Sequence, residues 1–210
     1  KIKGAVIIAS GFSEVGNKEA EIEILKPSKG KLSILGPNCL GIYTKGLDML
    51  FLPLEKLKRS PDGSISFITQ SGAVGSALID LAASEGVGVA KFISIGNRID
   101  IDETAMLEYL EKDLQTRSIA LYLESVKYGD KFISLAKRVA LKKPIIVYKA
   151  GKTDKGSEAS LSHTGALAGN SKIYSTAFKS SGIIEAETLE DIFDFSKVLA
   201  SQSVLKDNKI

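Results

Sequence analysis

Short apolar runs of strand length recur along the chain and alternate with stretches of a different periodicity. The runs span Ala5 to Ala9, Leu32 to Leu35, Ile65 to Ile68, Val89 to Ile95, Ile119 to Leu123 and Ile145 to Tyr148. Continuous apolar runs are typical of parallel strands that are buried on both faces of a sheet. We therefore predict a central parallel sheet.

Apolar residues at helical spacing separate these runs. The predicted helices span Ala73 to Glu85, Glu103 to Lys112, Asp130 to Leu141 and Ile173 to Ser181. A last amphipathic helix is indicated by Leu189, Ile192, Phe193 and Leu199, with Thr188 as its N-cap and a short strand at Gly182 to Ile184 before it. Strands that alternate with helices place the chain in the α/β class.

A turn signal divides this pattern into two units. Pro61, Asp62 and Gly63 together favour a turn, so we predict two domains, residues 1–60 and residues 61–210. The first unit has too few strands for a complete doubly wound sheet, whereas the second has enough strand–helix pairs for one. The chain also enters its first strand without a capping turn, and we expect it to be a fragment of a longer protein.

Composition narrows the class of protein. With 210 residues and 44% apolar content, the chain can bury a substantial core. Its formal charge is only +3 and its lysines are spread along the sequence, so we expect no nucleic-acid partner. The single cysteine excludes an intrachain disulfide and a Cys-x-x-Cys metal site, which suits a cytoplasmic protein. Since no apolar run approaches the roughly 20 residues that span a bilayer, we expect no membrane association.

Two candidate site residues lie within three residues of the ends of predicted strands, where parallel sheets bind ligands. After Ile65 to Ile68, the hydroxyl of Ser71 and the amides from Gly72 onward can bind a phosphate at a helix start. The alternative is an ordinary Ser N-cap with glycines for close packing. Glu124 follows Ile119 to Leu123, and its carboxylate can orient an imidazole. The alternative is an acid in the first turn of a helix.

The segment Ser160 to Gly169 contains His163, the single histidine of the chain. A neutral imidazole can attack phosphorus with one ring nitrogen, and the amides of Thr164 and Gly165 can bind phosphate oxygens. The alternative is a histidine in an ordinary surface loop. The residues alone leave both interpretations open.

Two familiar nucleotide motifs are incomplete. Gly151-Lys152-Thr153 resembles the end of a Walker A loop, but position 146 is Ile146 instead of glycine. Gly86-Val87-Gly88 has Lys91 where a dinucleotide fingerprint needs its third glycine. The sequence therefore supports neither a P-loop nor a Rossmann NAD site, and we expect no protein-bound metal.

Six local runs together resemble the ADP-forming acetyl-CoA and acyl-CoA synthetases, a branch of the superfamily that contains the succinyl-CoA synthetase α subunit. They are Ala9-Ser10-Gly11-Phe12-Ser13-Glu14, Leu35-Gly36-Pro37-Asn38-Cys39-Leu40-Gly41, Thr69-Gln70-Ser71-Gly72-Ala73, Ser94-Ile95-Gly96-Asn97-Arg98, Leu121-Tyr122-Leu123-Glu124 and Ser162-His163-Thr164-Gly165. The resemblance implies part of a Rossmann-like CoA-binding domain in residues 1–60. It implies a flavodoxin-like, parallel-sheet CoA-ligase domain in residues 61–210.

The resemblance also implies residue roles and a reaction. His163 matches the phosphorylated histidine and Glu124 the acid that supports it, with Ser71, Gly72, Thr164 and Gly165 around the phosphate and Asn38 and Cys39 near the CoA thioester. Acyl-CoA, phosphate and ADP would give a carboxylic acid, CoA and ATP through an acyl phosphate and a phosphohistidine. CoA is the implied cofactor, and ADP or ATP with Mg²⁺ would bind to an ATP-grasp partner.

Two departures limit the resemblance. We expect the glycine-rich CoA-binding half to be missing ahead of Lys1, and the region Asn17 to Lys31 looks shorter than the usual helix. Nothing in the sequence resembles an ATP-grasp fold, so we expect that part on another domain or subunit, within an oligomer. A non-catalytic acyl-CoA-sensing module and a succinyl-CoA synthetase α subunit remain as alternatives.

Overall fold

The structure is a computed structural model that describes residues 2–151 and 171–202. In these residues the strands are β1 (Gly4–Val6), β2 (Ser33–Leu35), β3 (Ile42–Thr44), β4 (Leu47–Asp48), β5 (Asp62–Thr69), β6 (Val89–Ser94), β7 (Ser118–Leu123), β8 (Ile145–Lys149) and β9 (Ile184–Ala186). The helices are α1 (Lys18–Ser28), α2 (Gly72–Ser84), α3 (Glu103–Lys112), α4 (Gly129–Ala140), α5 (Ser171–Ser180) and α6 (Leu189–Ser201), and a 3₁₀ turn spans Ser13–Val15.

A seven-stranded sheet forms the centre of the molecule, in the order β4-β3-β6-β5-β7-β8-β9. Strands β6, β5, β7, β8 and β9 run parallel to one another. Strand β3 pairs antiparallel with β6 and forms a hairpin with β4. Strands β1 and β2 form a separate parallel pair. This mixed but mainly parallel sheet confirms the α/β class.

Helices cover both faces of the sheet, as the strand sequences require. Alternate side chains of a strand point to opposite faces. Along β7, Ile119, Leu121 and Leu123 therefore pack in the core cluster that also contains residues of α3, α4 and α5. Ala120 packs in the second cluster, with residues of α2 and α6. Because both faces are covered, the strand is apolar from Ile119 to Leu123, which explains its continuous apolar run.

Most predicted elements are confirmed within a few residues of their predicted ends, and Thr188 is confirmed as an N-cap. Its side chain accepts a hydrogen bond from the amide of Asp191 at 3.0 Å, and the Asp191 carboxylate accepts from the Thr188 amide at 2.9 Å. This reciprocal pair is a capping box. The strand predicted at Gly182 to Ile184 lies slightly later, in β9.

The hairpin of β3 and β4 was not predicted. Both strands precede residue 60, yet they pair into the seven-stranded sheet through β6, with Ile42 opposite Ile93. The domain division at residue 60 stays a prediction. The region Asn17 to Lys31 contains α1, a helix of 11 residues. Of the helices in the part of the chain that the structure describes, none is long and apolar enough to cross a membrane.

Candidate active site

A cavity of about 920 Å³ opens at the carboxyl ends of the parallel strands. Its walls come from the segments that follow β1, β2, β5, β6, β7 and β8. In parallel sheets these segments meet helix amino termini, whose amides and positive dipole attract anions. The cavity therefore lies where this fold ordinarily binds ligands.

Five of the predicted site residues line this one cavity. They are Asn38, Cys39, Ser71, Gly72 and Glu124. They come from three separate loops, so the fold is what brings them together. His163, Thr164 and Gly165 lie outside the described residues. Ala150 and Gly151, the last described residues before that segment, also line the cavity.

The amino end of α2 forms one wall of the cavity. Ser71 is the N-cap, and its hydroxyl accepts a hydrogen bond from the amide of Val74 at 3.3 Å. The N-cap interpretation of Ser71 is thus confirmed. The first amides of a helix have no partner within the helix, and Gly72 and Ala73 hold these positions in the cavity wall. The wall can therefore offer amide donors to an anion.

Close packing holds α2 against the sheet. A Cβ atom added to Gly75 would lie 2.7 Å from the ring of Phe92 and 2.7 Å from the methyl group of Thr69. Real Cβ atoms do not tolerate such distances, so only glycine fits without a shift. The glycine-packing interpretation is also confirmed at this position, and it is compatible with a phosphate site at the helix start.

Glu124 lies directly after β7, in the cavity wall. Helix α4 begins only at Gly129, so the alternative that placed Glu124 in a first helical turn is wrong. The side-chain oxygen of Gln70 accepts hydrogen bonds from the amides of Glu124 and Ser125, at 2.7 and 3.1 Å. The end of β5 therefore fixes the backbone at Glu124.

Two tyrosines stack in the same wall. The rings of Tyr122 and Tyr148 lie 5.6 Å apart and are nearly parallel. Burial, the nearby charge of Glu124 and the neighbouring Tyr148 raise the pKa of Tyr122 to about 12. Both residues line the cavity. The Tyr122 hydroxyl is therefore neutral at physiological pH and can act there as a hydrogen-bond donor.

A polar network joins the loop after β2 to the loop after β6. The side chain of Asn97 accepts from that of Asn38 at 3.2 Å and donates to the carboxylates of Glu14 and Glu21. Partial burial acts to raise the pKa of Glu14, but hydrogen bonds from Asn97 and from the Gly11 and Phe12 amides outweigh it and lower the pKa. Glu14 therefore stays ionised.

Cys39 lies deep in the cavity wall and is 5% exposed. Its Sγ atom donates a hydrogen bond to the carbonyl of Ile7 at 3.3 Å. Burial raises the pKa of this thiol, and a backbone hydrogen bond at Gly41 opposes the rise without cancelling it. Since the thiolate is the nucleophilic form of cysteine, Cys39 contributes packing and shape here and is not poised for attack.

Sequence reasoning gave no role to Gln70, Asn97, Arg98 or Glu14, although each lies in one of the six quoted runs. Their position in the chain could have indicated a role, because Gln70, Asn97 and Arg98 follow buried strands at the ligand-binding edge of the sheet. Their partners are distant in sequence and could not be read from it. In residues 2–151 and 171–202, no group of three or more His, Cys, Asp or Glu side chains could hold a metal ion.

Sequence comparison finds one matching domain family and several curated relatives. Residues 62–199 match the family described as succinyl-CoA ligase like flavodoxin domain. The whole chain is 43% identical to the ADP-forming acetate–CoA ligase of Methanocaldococcus jannaschii and 41% identical to the α subunit of ADP-forming acetate–CoA ligase II of Pyrococcus furiosus. It spans 29% and 46% of the lengths of these two relatives.

Structural comparison agrees with the sequence. The dinucleotide-forming acetyl-coenzyme A synthetase 1 of Ca. Korarchaeum cryptofilum, in complex with phosphate and ADP, matches with a TM-score of 0.90 and 41% sequence identity. The match covers 98% of this chain and 44% of that one. This fold therefore also occurs as a minor part of a longer polypeptide.

Proposed function

The chain belongs to the succinyl-CoA ligase-like flavodoxin family, and from this premise we propose that it is the CoA-ligase part of an ADP-forming acyl-CoA synthetase. The overall reaction converts acyl-CoA, phosphate and ADP into a carboxylic acid, CoA and ATP. One observation supports this proposal most. Residues matched to the thioester end and to the phosphate end line a single cavity at the carboxyl edge of the sheet.

The chemistry divides into three transfers. A phosphate oxygen attacks the acyl carbonyl, the carbon–sulfur bond breaks, and CoA leaves. A ring nitrogen of His163 then attacks the phosphorus of the acyl phosphate, and the carboxylate leaves. Finally, an oxygen of ADP attacks the phosphohistidine, the nitrogen–phosphorus bond breaks, and ATP forms. Covalent catalysis of this kind replaces one difficult transfer by easier ones.

Each predicted residue has a place in this scheme. Glu124 holds the imidazole of His163 in orientation by accepting its other ring N–H. The amino end of α2, at Ser71 and Gly72, stabilises the charge on the transferring phosphoryl group. The amides of Thr164 and Gly165 bind phosphate oxygens beside the histidine, and Asn38 and Cys39 shape the thioester end. These roles rest on the family resemblance and on the cavity that the described residues line.

The nucleotide binds elsewhere in the complete enzyme. Since the relatives are more than twice as long as this chain, they have room for further domains, and we propose that an ATP-grasp domain or subunit binds ADP with Mg²⁺. The acyl-CoA and phosphate bind in the cavity described above. The assembly is an oligomer of CoA-ligase and ATP-grasp parts.

The test is phosphorylation of this chain within the complete enzyme. Acyl-CoA, radiolabelled phosphate and Mg²⁺ should produce an acid-labile, base-stable label on the wild-type chain. The variant His163→Asn should lose it, while the control Lys179→Asn, on the exposed side of α5, should keep it. A label that survives His163→Asn would move the acceptor elsewhere, first of all to Glu124. Binding of CoA without any label would instead favour an acyl-CoA-sensing module.

A further inference from the structure

The turn at residues 124–127 has an unusual hydrogen-bond arrangement, because side chains from other elements accept from all four of its backbone amides. The amides of Glu124 and Ser125 donate to Gln70. The amide of Val126 donates to the hydroxyl of Tyr174 at 3.3 Å, and that of Lys127 donates to the carboxylate of Glu103 at 2.6 Å. No helix or strand pairs these amides, so the side chains determine where the turn lies.

Gln70 makes three of the hydrogen bonds that hold this turn. Its side chain is buried, accepts from two amides through Oε1 and donates through Nε2 to the carbonyl of Ser125 at 2.8 Å. A carboxamide offers an acceptor and a donor on opposite arms of one planar group and carries no charge. A carboxylate lacks the donor, and an apolar side chain of the same length lacks both. A glutamine side chain therefore satisfies all three hydrogen bonds at position 70.

Arg98 also contacts this turn. Its guanidinium donates to the carbonyl of Ser125 at 3.0 Å and to the hydroxyl of Ser125 at 2.9 Å, and it forms an ion pair with the fully buried carboxylate of Glu103 at 3.0 Å. The backbone of Arg98 has a φ of 60°, a left-handed conformation that non-glycine residues seldom adopt. Such strained residues persist only where surrounding contacts determine them, and they concentrate at functional sites.

We propose that Gln70 is a positioning residue for phosphoryl transfer, which fixes the carboxylate of Glu124 relative to the amino end of α2. Gln70 directly precedes Ser71, the N-cap of that helix. One buried side chain therefore joins the turn that bears the acid to the helix start that faces the phosphate. This inference rests on the proposed function, because it gives Glu124 its role. Gln70 itself touches neither the imidazole nor the phosphorus in this scheme.

The decisive experiment is a double-mutant cycle on the complete enzyme, with the rate of chain phosphorylation as the readout. Gln70→Met removes all three hydrogen bonds and should slow phosphorylation about 10- to 100-fold, since small displacements of reacting groups have costs of this order. In a Glu124→Gln background the same change should have less than about a threefold effect, because the group that Gln70 positions is already gone.

A matched control separates positioning from a general loss of stability. Gln115→Met removes a hydrogen bond of 3.2 Å to the carbonyl of Gly63, at the opposite edge of the sheet, and should leave the phosphorylation rate unchanged. Should Gln70→Met fail to fold, Gln70→Asn provides the same cycle, because it keeps a neutral carboxamide but is one methylene too short to make all three hydrogen bonds. Its effect should be smaller than that of methionine but should also vanish in the Glu124→Gln background.

Hydrogen exchange gives a readout that is independent of activity. Gln70→Met should accelerate exchange of the Glu124 and Ser125 amides, whereas Tyr174→Phe should accelerate exchange at Val126 alone. A wild-type enzyme that acquires no label would refute the proposed function. A labelled wild-type enzyme in which Gln70→Met slows phosphorylation equally in both backgrounds, or not at all, would overturn the positioning role and leave the proposed function intact.

Discussion

Replacing Gly75 by alanine tests whether close packing of α2 positions the site. Gly75 lies in the first turn of the helix, and its added Cβ would lie 2.7 Å from atoms of both Phe92 and Thr69. Both side chains are fully buried and cannot turn aside into solvent. The helix must therefore move away from β5 and β6, or the core beneath it must rearrange.

Two opposing effects determine how much Gly75→Ala changes the free energy of unfolding. Overpacking of a well-packed core costs about 1–3 kcal/mol, and the higher helix propensity of alanine returns about 1 kcal/mol. The net change is a destabilisation of about 1 kcal/mol, and at most about 2 kcal/mol. For a domain of this size, each kcal/mol lowers the Tm by about 2–4 °C, so the Tm of Gly75→Ala should fall by about 2–8 °C.

Gly129 provides the matched control. It is the first residue of α4, and a Cβ added there meets no atom within 4 Å. Gly129→Ala should therefore leave the Tm unchanged or raise it slightly through helix propensity. Thermal unfolding of both variants, followed by circular dichroism, measures the difference. If Gly75→Ala proves as stable as Gly129→Ala, the argument that glycine is required for the position of α2 is wrong.

Two further predictions concern ionisable groups. The carboxylate of Glu111 lies between Arg138 and Lys142, and their hydrogen bonds lower its pKa to about 2, whereas its pKa in the unfolded chain is about 4.3. Glu111→Gln should therefore lower the free energy of unfolding by its full amount above about pH 5, and the difference between the variant and the wild type should shrink as the pH falls towards 2. Urea denaturation at pH 7 and pH 3 checks this, and a difference independent of pH would contradict it. The buried thiol of Cys39, whose pKa is raised, should react with N-ethylmaleimide at least about 10-fold more slowly in the native chain than in guanidinium, and equal rates would contradict its burial.

The main elements of the fold were predictable because their sequence pattern reflects two-sided burial. Strands β7 and β8 are apolar at every position except Ser118 and Lys149, since helices cover both faces of the sheet. Helix α1 has no such signal, as Ser28 is its one buried residue. Strands β3 and β4 have three and two residues, and their pairing depends on β6, far along the chain. A helix without a buried face, or a strand that pairs with a distant partner, has little local sequence pattern from which it could be predicted.

The candidate site was predictable as a set of strand ends, but its hydrogen bonds were not. Ser71 and Glu124 follow buried strands, so their common edge could be inferred from the topology rule alone. The hydrogen bond from the amide of Glu124 to Gln70 joins residues 54 positions apart. Nothing in a local run indicates which distant amide a buried glutamine will meet. The family resemblance implied roles for Ser71 and Glu124, and the structure adds Gln70, which holds the backbone at Glu124.

Two adjacent residues, Asn97 and Arg98, connect the two ends of the cavity. Asn97 bonds to Asn38 and Glu14, which belong to the first 60 residues, while its neighbour Arg98 bonds to Ser125 in the turn that bears Glu124. The backbone before Asn97 is also tightly packed, because a Cβ on Gly96 would overlap the carbonyl oxygens of Pro37 and Asn38. Since Arg98 is left-handed, the two adjacent side chains enter different networks. We therefore expect a shift of Asn38 at the proposed thioester end to be transmitted through Asn97 and Arg98 to the turn that bears the proposed acid.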